Sequence, residues 1–135
     1  LVLDLRSWIY DPAPDVFTAL TSRAAGGSAI TLACESWASA DRVRAWLPDH
    51  RTAYSVRTET QLRRYIEGRT RDAIPAVPVA IRHSLLHDGG DLEALRRFAP
   101  RVAAWTVDDV TRACALAAWG VDEIVSNRIE VLAAL

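Results

Sequence analysis

The chain has 135 residues, half of them hydrophobic, and a formal net charge of −1; that is enough for one domain with a real core and too few for two. All 16 basic residues are arginine, scattered among 17 carboxylates, so there is no basic stripe of the kind that binds nucleic acid or an anionic membrane. No apolar run approaches the roughly 18 to 20 residues of a membrane span, and the opening LVLDLR lacks the charged-then-apolar layout of a signal peptide.

Taken in chain order, short β-branched or apolar runs alternate with segments whose apolar residues recur at spacings of three and four. The expected strands are 2–6, 29–34, 52–56, 77–82, 102–107 and 121–126. A first helix follows Asp15, with Val16, Phe17 and Leu20 on its apolar face. A second follows Ser39, with Val43, Trp46 and Leu47, and a third follows Thr58, with Leu62, Tyr65 and Ile66. Ser39 and Thr58 are residue types that cap helix N-termini. Later helices follow Gly90 (Leu92, Leu95, Phe98, stopped by Pro100), Asp108 (Val110, Cys114, Ala117, stopped by Gly120) and Asn127 (Ile129, Leu132). Cys34 and Cys114, each among apolar neighbours, read as buried thiols rather than a disulfide framework, which fits a reducing compartment and a cytoplasmic location. From the lack of an initiator methionine the true N-terminus is expected upstream, where any targeting signal would lie.

Strands apolar on both sides, such as 29–33 and 77–81, read as parallel strands covered on both faces. An open dinucleotide-binding sheet would carry a glycine-rich turn after its first strand, whereas Gly26-Gly27 lies between a helix and the next strand. A closed barrel is the better expectation. A barrel of the TIM (β/α)8 type needs about 200 to 250 residues, so residues 1–135 are expected to form an incomplete α/β barrel, about its last six β/α units, with the N-terminal strands missing.

In such a barrel the chemistry sits where the strands end. Those ends carry Asp4 and Arg6; Glu35, Ser36 and Trp37; Arg57; Arg82 and His83; Trp105 to Asp109; and Ser126 with Asn127. Asp4 and Arg6 alternate with Leu3 and Leu5 and so share one face of their strand. They read either as an ion pair at a barrel mouth or as a carboxylate for a divalent cation beside a guanidinium for the phosphate it neutralises. His83 reads as a hydrogen-bonded surface histidine or a phosphate contact. Ser36 has no histidine and aspartate partners in order, so a serine hydrolase has little support.

Trp105-Thr106-Val107-Asp108, followed by Gly120-Val121-Asp122-Glu123-Ile124-Val125-Ser126-Asn127-Arg128, resembles the closing signature of the glycerophosphodiester phosphodiesterase family, W-T-V-N, a helix, then G-V-D-G-I-I-T-D-R-P. Leu3-Asp4-Leu5-Arg6 is similar to the family's I-E-I-K strand and Ser36-Trp37 to its S-F pair, in the same order and across nearly the whole chain. The resemblance implies a metal-dependent hydrolase that cleaves a small-molecule glycerophosphodiester to glycerol 3-phosphate and an alcohol with Mg²⁺ or Ca²⁺. It places Asp4 at a metal-binding carboxylate, Arg6 at the phosphate-facing lysine, and Trp105 and Trp37 at the substrate wall. The family's catalytic histidines and its E-x-D pair precede the part that matches, so they are expected upstream and the 135 residues alone are expected to be inactive.

Departures from the family pattern are Asp4 for Glu, one methylene shorter; Arg6 for Lys, a planar fork in place of a point charge; Asp108 for Asn; Ser126-Asn127 for Thr-Asp; and Ile129 for Pro. Asn127 is the expected cap of the last helix. Two other functional classes fit the same strand ends: a non-catalytic barrel binding a phosphorylated ligand or partner protein, and a phosphate-handling isomerase or synthase. The second would carry glycine-rich phosphate loops after the last strands, which Ser126-Asn127-Arg128 lacks.

Overall fold

The computed structural model describes residues 2–5, 22, 31–46, 48, 51–71 and 76–135. Two compact units divide it, Leu1–Ser55 and Val56–Leu135. The expected helix after Asp15, and His50, lie outside the described residues.

In the first unit, β1 (Val2–Leu5), β2 (Thr31–Cys34) and β3 (Arg51–Val56) pair in parallel, with Leu3 opposite Leu32, Asp4 opposite Ala33, and Ala33 opposite Ala53. Parallel strands need a crossover to join them, and α1 (Trp37–Trp46) provides the one between β2 and β3. It turns Ala40 and Val43 inward to join the buried Leu32, Ala33 and Cys34. Ser36, not the expected Ser39, caps α1: the Ser36 hydroxyl oxygen accepts from the Ser39 amide at 3.3 Å. Ser39 lies inside the helix, where its hydroxyl donates to Ser36 at 3.1 Å.

The second unit begins at the end of β3 and continues through α2 (Glu59–Arg71), β4 (Val79–Arg82), a 3-10 turn (His83–Leu85), α3 (Gly89–Arg96), β5 (Val102–Trp105), α4 (Val110–Trp119), β6 (Glu123–Ile124) and α5 (Ile129–Ala133). β4 pairs with β5 and β5 with β6, all in parallel. Val79, Ala80, Ile81, Val102, Ala103 and Ala104 are all buried, as strands covered on both faces must be. Ladder contacts run beyond the short β6, from the Asp122 amide to Val102 O at 3.0 Å and from the Val125 amide to Ala104 O at 2.9 Å. The expected strand 121–126 is therefore extended chain with only its centre in regular pairing.

Thr58 caps α2 as expected, its hydroxyl oxygen accepting from the Gln61 amide at 3.2 Å. Asp88 caps α3, accepting from the Gly90 and Asp91 amides at 2.8 and 3.1 Å; two glycines disfavour a helix start, and this double cap offsets them. α4 is capped by Asp109, which accepts from the Arg112 amide at 2.7 Å, and not by Asp108. It ends at Gly120 with φ +97°, where the Gly120 amide donates to Ala117 O and the Val121 amide to Leu116 O. Only glycine adopts that left-handed cap without strain.

Helix faces differ from expectation in three places, the first being α1, where Trp46 is 43% exposed. α4 buries Ala113 and Leu116 and leaves Val110 and Cys114 exposed, so Cys34 is a buried thiol as expected and Cys114 is not. Four alanines blur the amphipathic contrast of this helix, and a rotation by one residue costs little burial. α5 buries Val131, with Ile129 79% and Leu132 42% exposed; its N-cap position is Arg128, not Asn127. Asp122, from the G-V-D stretch, has a packing role: one carboxylate oxygen accepts from the Val102 amide at 2.8 Å and from Arg96 at 3.0 Å, tying the start of β5 to the end of α3.

Candidate functional site

In the second unit the strands end around a cavity of about 330 Å³ lined by Arg57, Arg82, His83, Trp105 and Thr106. Each lining residue stands at or just past the C-terminal end of a strand. Arg57 follows Val56, and its amide donates to the Gln61 side chain at 2.7 Å, directly before the Thr58 cap of α2. Arg82 ends β4 and stands opposite Trp105, which ends β5. The register thus sets a guanidinium beside an indole, and the Arg57 guanidinium lies 5.5 Å from the Trp105 ring centre, a cation–π arrangement.

His83 opens the 3-10 turn. Arg112 of α4 holds that turn by donating to His83 O at 2.7 Å and to Leu86 O, while its guanidinium lies 4.9 Å from the Trp119 ring. Nδ1 of His83 is buried with no hydrogen-bond partner among the described residues. Burial of the ring, reinforced by the charges of Arg112 and Arg82 and opposed by Asp108, holds the imidazole below its ordinary 6.5. It is neutral at neutral pH and can accept or donate. As pH falls through 6.5 the unfolded chain takes up the proton first, so this residue removes stability between 6.5 and its lower folded value. His83→Gln is expected to flatten that acid-side loss when urea midpoints at about pH 7.5 and pH 5.5 are compared; an unchanged slope would contradict the sign.

Among the described residues no carboxylate lines the cavity. Asp108, beside it in the chain, is engaged elsewhere: it accepts from the Asn127 amide at 2.8 Å, the Asn127 side chain at 3.0 Å and the Ser126 hydroxyl at 3.0 Å. These bonds, led by the Asn127 amide, hold its carboxyl below the ordinary carboxylate value. Two departures from the family signature meet here: where that signature has Asn after W-T-V and Asp in T-D-R-P, this chain has Asp108 and Asn127, which hydrogen-bond to each other. Asn127→Asp alone sets two carboxylates together and is expected to lower the thermal midpoint, and adding Asp108→Asn should recover it. A double variant no more stable than Asn127→Asp would reject the pairing.

The expected site residues separate as follows. Asp4 stands in β1 opposite Ala33, and Arg6 lies outside the described residues. Trp37 is the first residue of α1 in the first unit; its ring stacks on Tyr54 at 5.0 Å and 9°, and its indole N–H donates to Ser55 O at 3.1 Å. Trp105 is brought together with Arg57, Arg82 and His83. Both arginines were visible as strand-ending residues, but nothing local distinguishes them from the other 14 arginines. His87 serves α3 instead, its amide and Nδ1 meeting Asp91 at 2.7 and 3.0 Å. Among the described residues no three His, Cys, Asp or Glu side chains converge to hold a metal ion. The donors of these residues do not make a divalent-cation site by themselves.

Comparison with solved structures decides between an open sheet and a barrel. A protein assigned as a glycerophosphoryl diester phosphodiesterase from Silicibacter pomeroyi superposes with a TM-score of 0.73 at 17% identity, covering 93% of this chain and 46% of that one. The glycerophosphodiester phosphodiesterase from Agrobacterium tumefaciens gives 0.66 at 17% identity, covering 99% and 55%. The chain has the fold of the glycerophosphodiester phosphodiesterase barrel. A third such match, an Oleispira antarctica phosphodiesterase solved with its product sn-glycerol 3-phosphate, gives 0.57 at 18% identity over 78% and 41% of the two chains. This chain therefore spans about half the length of the structures it matches. No family model and no curated protein matches the sequence. Among the described residues no helix is long and apolar enough to cross a membrane.

Proposed function

We propose that these residues form the last six β/α units of a barrel that hydrolyses glycerophosphodiesters to glycerol 3-phosphate and an alcohol. The observation that carries the reading is the cavity of arginines, histidine and tryptophan at the C-terminal ends of β3 to β5, the end at which barrels of this type hold their substrates. The likeness in fold to a phosphodiesterase that holds sn-glycerol 3-phosphate supports it.

In this reading Trp105 and Trp37 form walls against the glycerol, and Arg6 grips a phosphate oxygen, where its fork makes charge-assisted bonds that strengthen as charge builds on the phosphorus centre. Asp4 is one carboxylate ligand of a divalent cation, Mg²⁺ or Ca²⁺, and further ligands come from strands that the neighbours have and this chain does not match. Once bound, the cation supplies Lewis-acid polarisation of the diester. The general acid and base come from the same unmatched strands, and the cytoplasm is the proposed compartment.

The test is hydrolysis of glycerophosphoglycerol by a polypeptide carrying all eight strands, with and without EDTA, beside the 135-residue chain alone. Metal-dependent release of glycerol 3-phosphate by the first and none by the second is the expected result. Turnover by the 135-residue chain would overturn the assignment of the acid and base. Saturable binding without turnover by the eight-stranded protein would identify a non-catalytic barrel that holds phosphorylated ligands.

A further inference from the structure

Among the described residues, two arginines and a histidine line the cavity at the ends of β3, β4 and β5. Resting on the phosphodiesterase reading, we propose that Arg57, Arg82 and His83 form a leaving-group subsite that selects glycerophosphodiesters whose alcohol itself bears a phosphate.

Three observations converge on it. First, among the described residues two guanidiniums and no carboxylate line the cavity, and Arg82 makes no ion pair among them. An arginine of that kind is available for bidentate contact with phosphate oxygens. Second, the Arg57 guanidinium stands 5.5 Å from the Trp105 ring centre, over the aromatic surface that would otherwise attract a quaternary ammonium. A cationic alcohol meets a like charge there, whereas an anionic one meets an attractive one. Third, the Nδ1 of His83 is buried without a partner among the described residues, and a phosphate oxygen or hydroxyl in the cavity would give the imidazole one. The volume, about 330 Å³, lies at the small end of ligand pockets, which run from roughly 300 to 1,000 Å³. That suits a phosphate on a three-carbon alcohol better than a long headgroup. Asp108, two residues past Thr106, is held by Ser126 and Asn127.

The experiment compares three diesters: bis(glycerophospho)glycerol, whose alcohol carries a second phosphate; glycerophosphoglycerol, whose alcohol is neutral; and glycerophosphocholine, whose alcohol is cationic. Calorimetric titration of the 135-residue chain is expected to give Kd values rising in that order. The eight-stranded polypeptide should show the same order in kcat/KM, carried by KM. Arg82→Gln should reduce the preference for the phosphate-bearing over the neutral diester by about tenfold, equivalent to about 1.4 kcal/mol, and Arg82→Lys should retain most of it. Arg82 is exposed, so both variants are expected to fold, as circular dichroism would verify. Equal affinity for the three diesters, or a preference unchanged in Arg82→Gln, overturns the subsite. Absence of turnover with the affinity order and its Arg82 dependence intact rejects the phosphodiesterase reading and leaves the subsite standing. Turnover without charge preference does the reverse.

Discussion

Asp4→Ala is expected to abolish most glycerophosphodiester hydrolysis by the eight-stranded polypeptide, with kcat falling about 100-fold or more. Asp4 stands one residue from the C-terminal end of β1, paired with Ala33 in a parallel ladder, and strand ends at that side are where barrels of this type place reacting groups. A hard divalent cation binds oxygen donors, carboxylates above all, and alanine removes the donor without offering another. Asp4→Asn keeps the shape and a carbonyl oxygen but loses the charge, so it should fall between alanine and the parent. Asp4→Glu restores the length of the family's residue and is expected to retain metal-dependent activity. Activity within a few-fold of the parent in Asp4→Ala would remove Asp4 from the site and leave the fold unaffected.

Tyr65→Phe is expected to cost about 1–3 kcal/mol of stability. Tyr65 is 2% exposed on α2, and its hydroxyl lies 2.9 Å from Val77 O and 3.1 Å from Phe98 O, sharing one proton between two carbonyls. Phenylalanine fills the same space and removes the donor from both acceptors, of which the Val77 bond is buried and the Phe98 bond part-buried, so the loss is a desolvation penalty rather than a cavity. The residue joins α2, which starts beside Arg57, to the chain leading into β4, which ends at Arg82. The measurement is the urea midpoint at constant m. A change under about 0.5 kcal/mol, the usual range for surface substitutions, would show that the bond is replaceable.

Rules that act within one helical turn or one strand were legible in the chain itself. The order of six strands, the burial of 79–81 and 102–104 on both faces, the Thr58 cap and the Gly120 stop follow from residue periodicity, a hydroxyl at the right offset and a position that only glycine tolerates. The strand-end words at Asp4, Ser36-Trp37 and Trp105-Thr106-Val107 named the barrel that the solved structures share in fold.

Tertiary structure decided what neighbouring residues cannot distinguish. Asp108 and Asp109 are equally good caps by type; Asp109 caps α4 because Ser126 and Asn127, from the next loop, claim Asp108. Val110-Cys114-Ala117 and Ala113-Leu116 are equally spaced stripes on an alanine-rich helix, and packing beneath α4 selected the second. Arg57, Arg82, His83 and Trp105 acquire a shared environment only because parallel register brings the ends of distant strands to one level. That register is a long-range property, set by the whole sheet and its covering helices, and for this reason the chain alone revealed the barrel but not the charged cavity at its mouth.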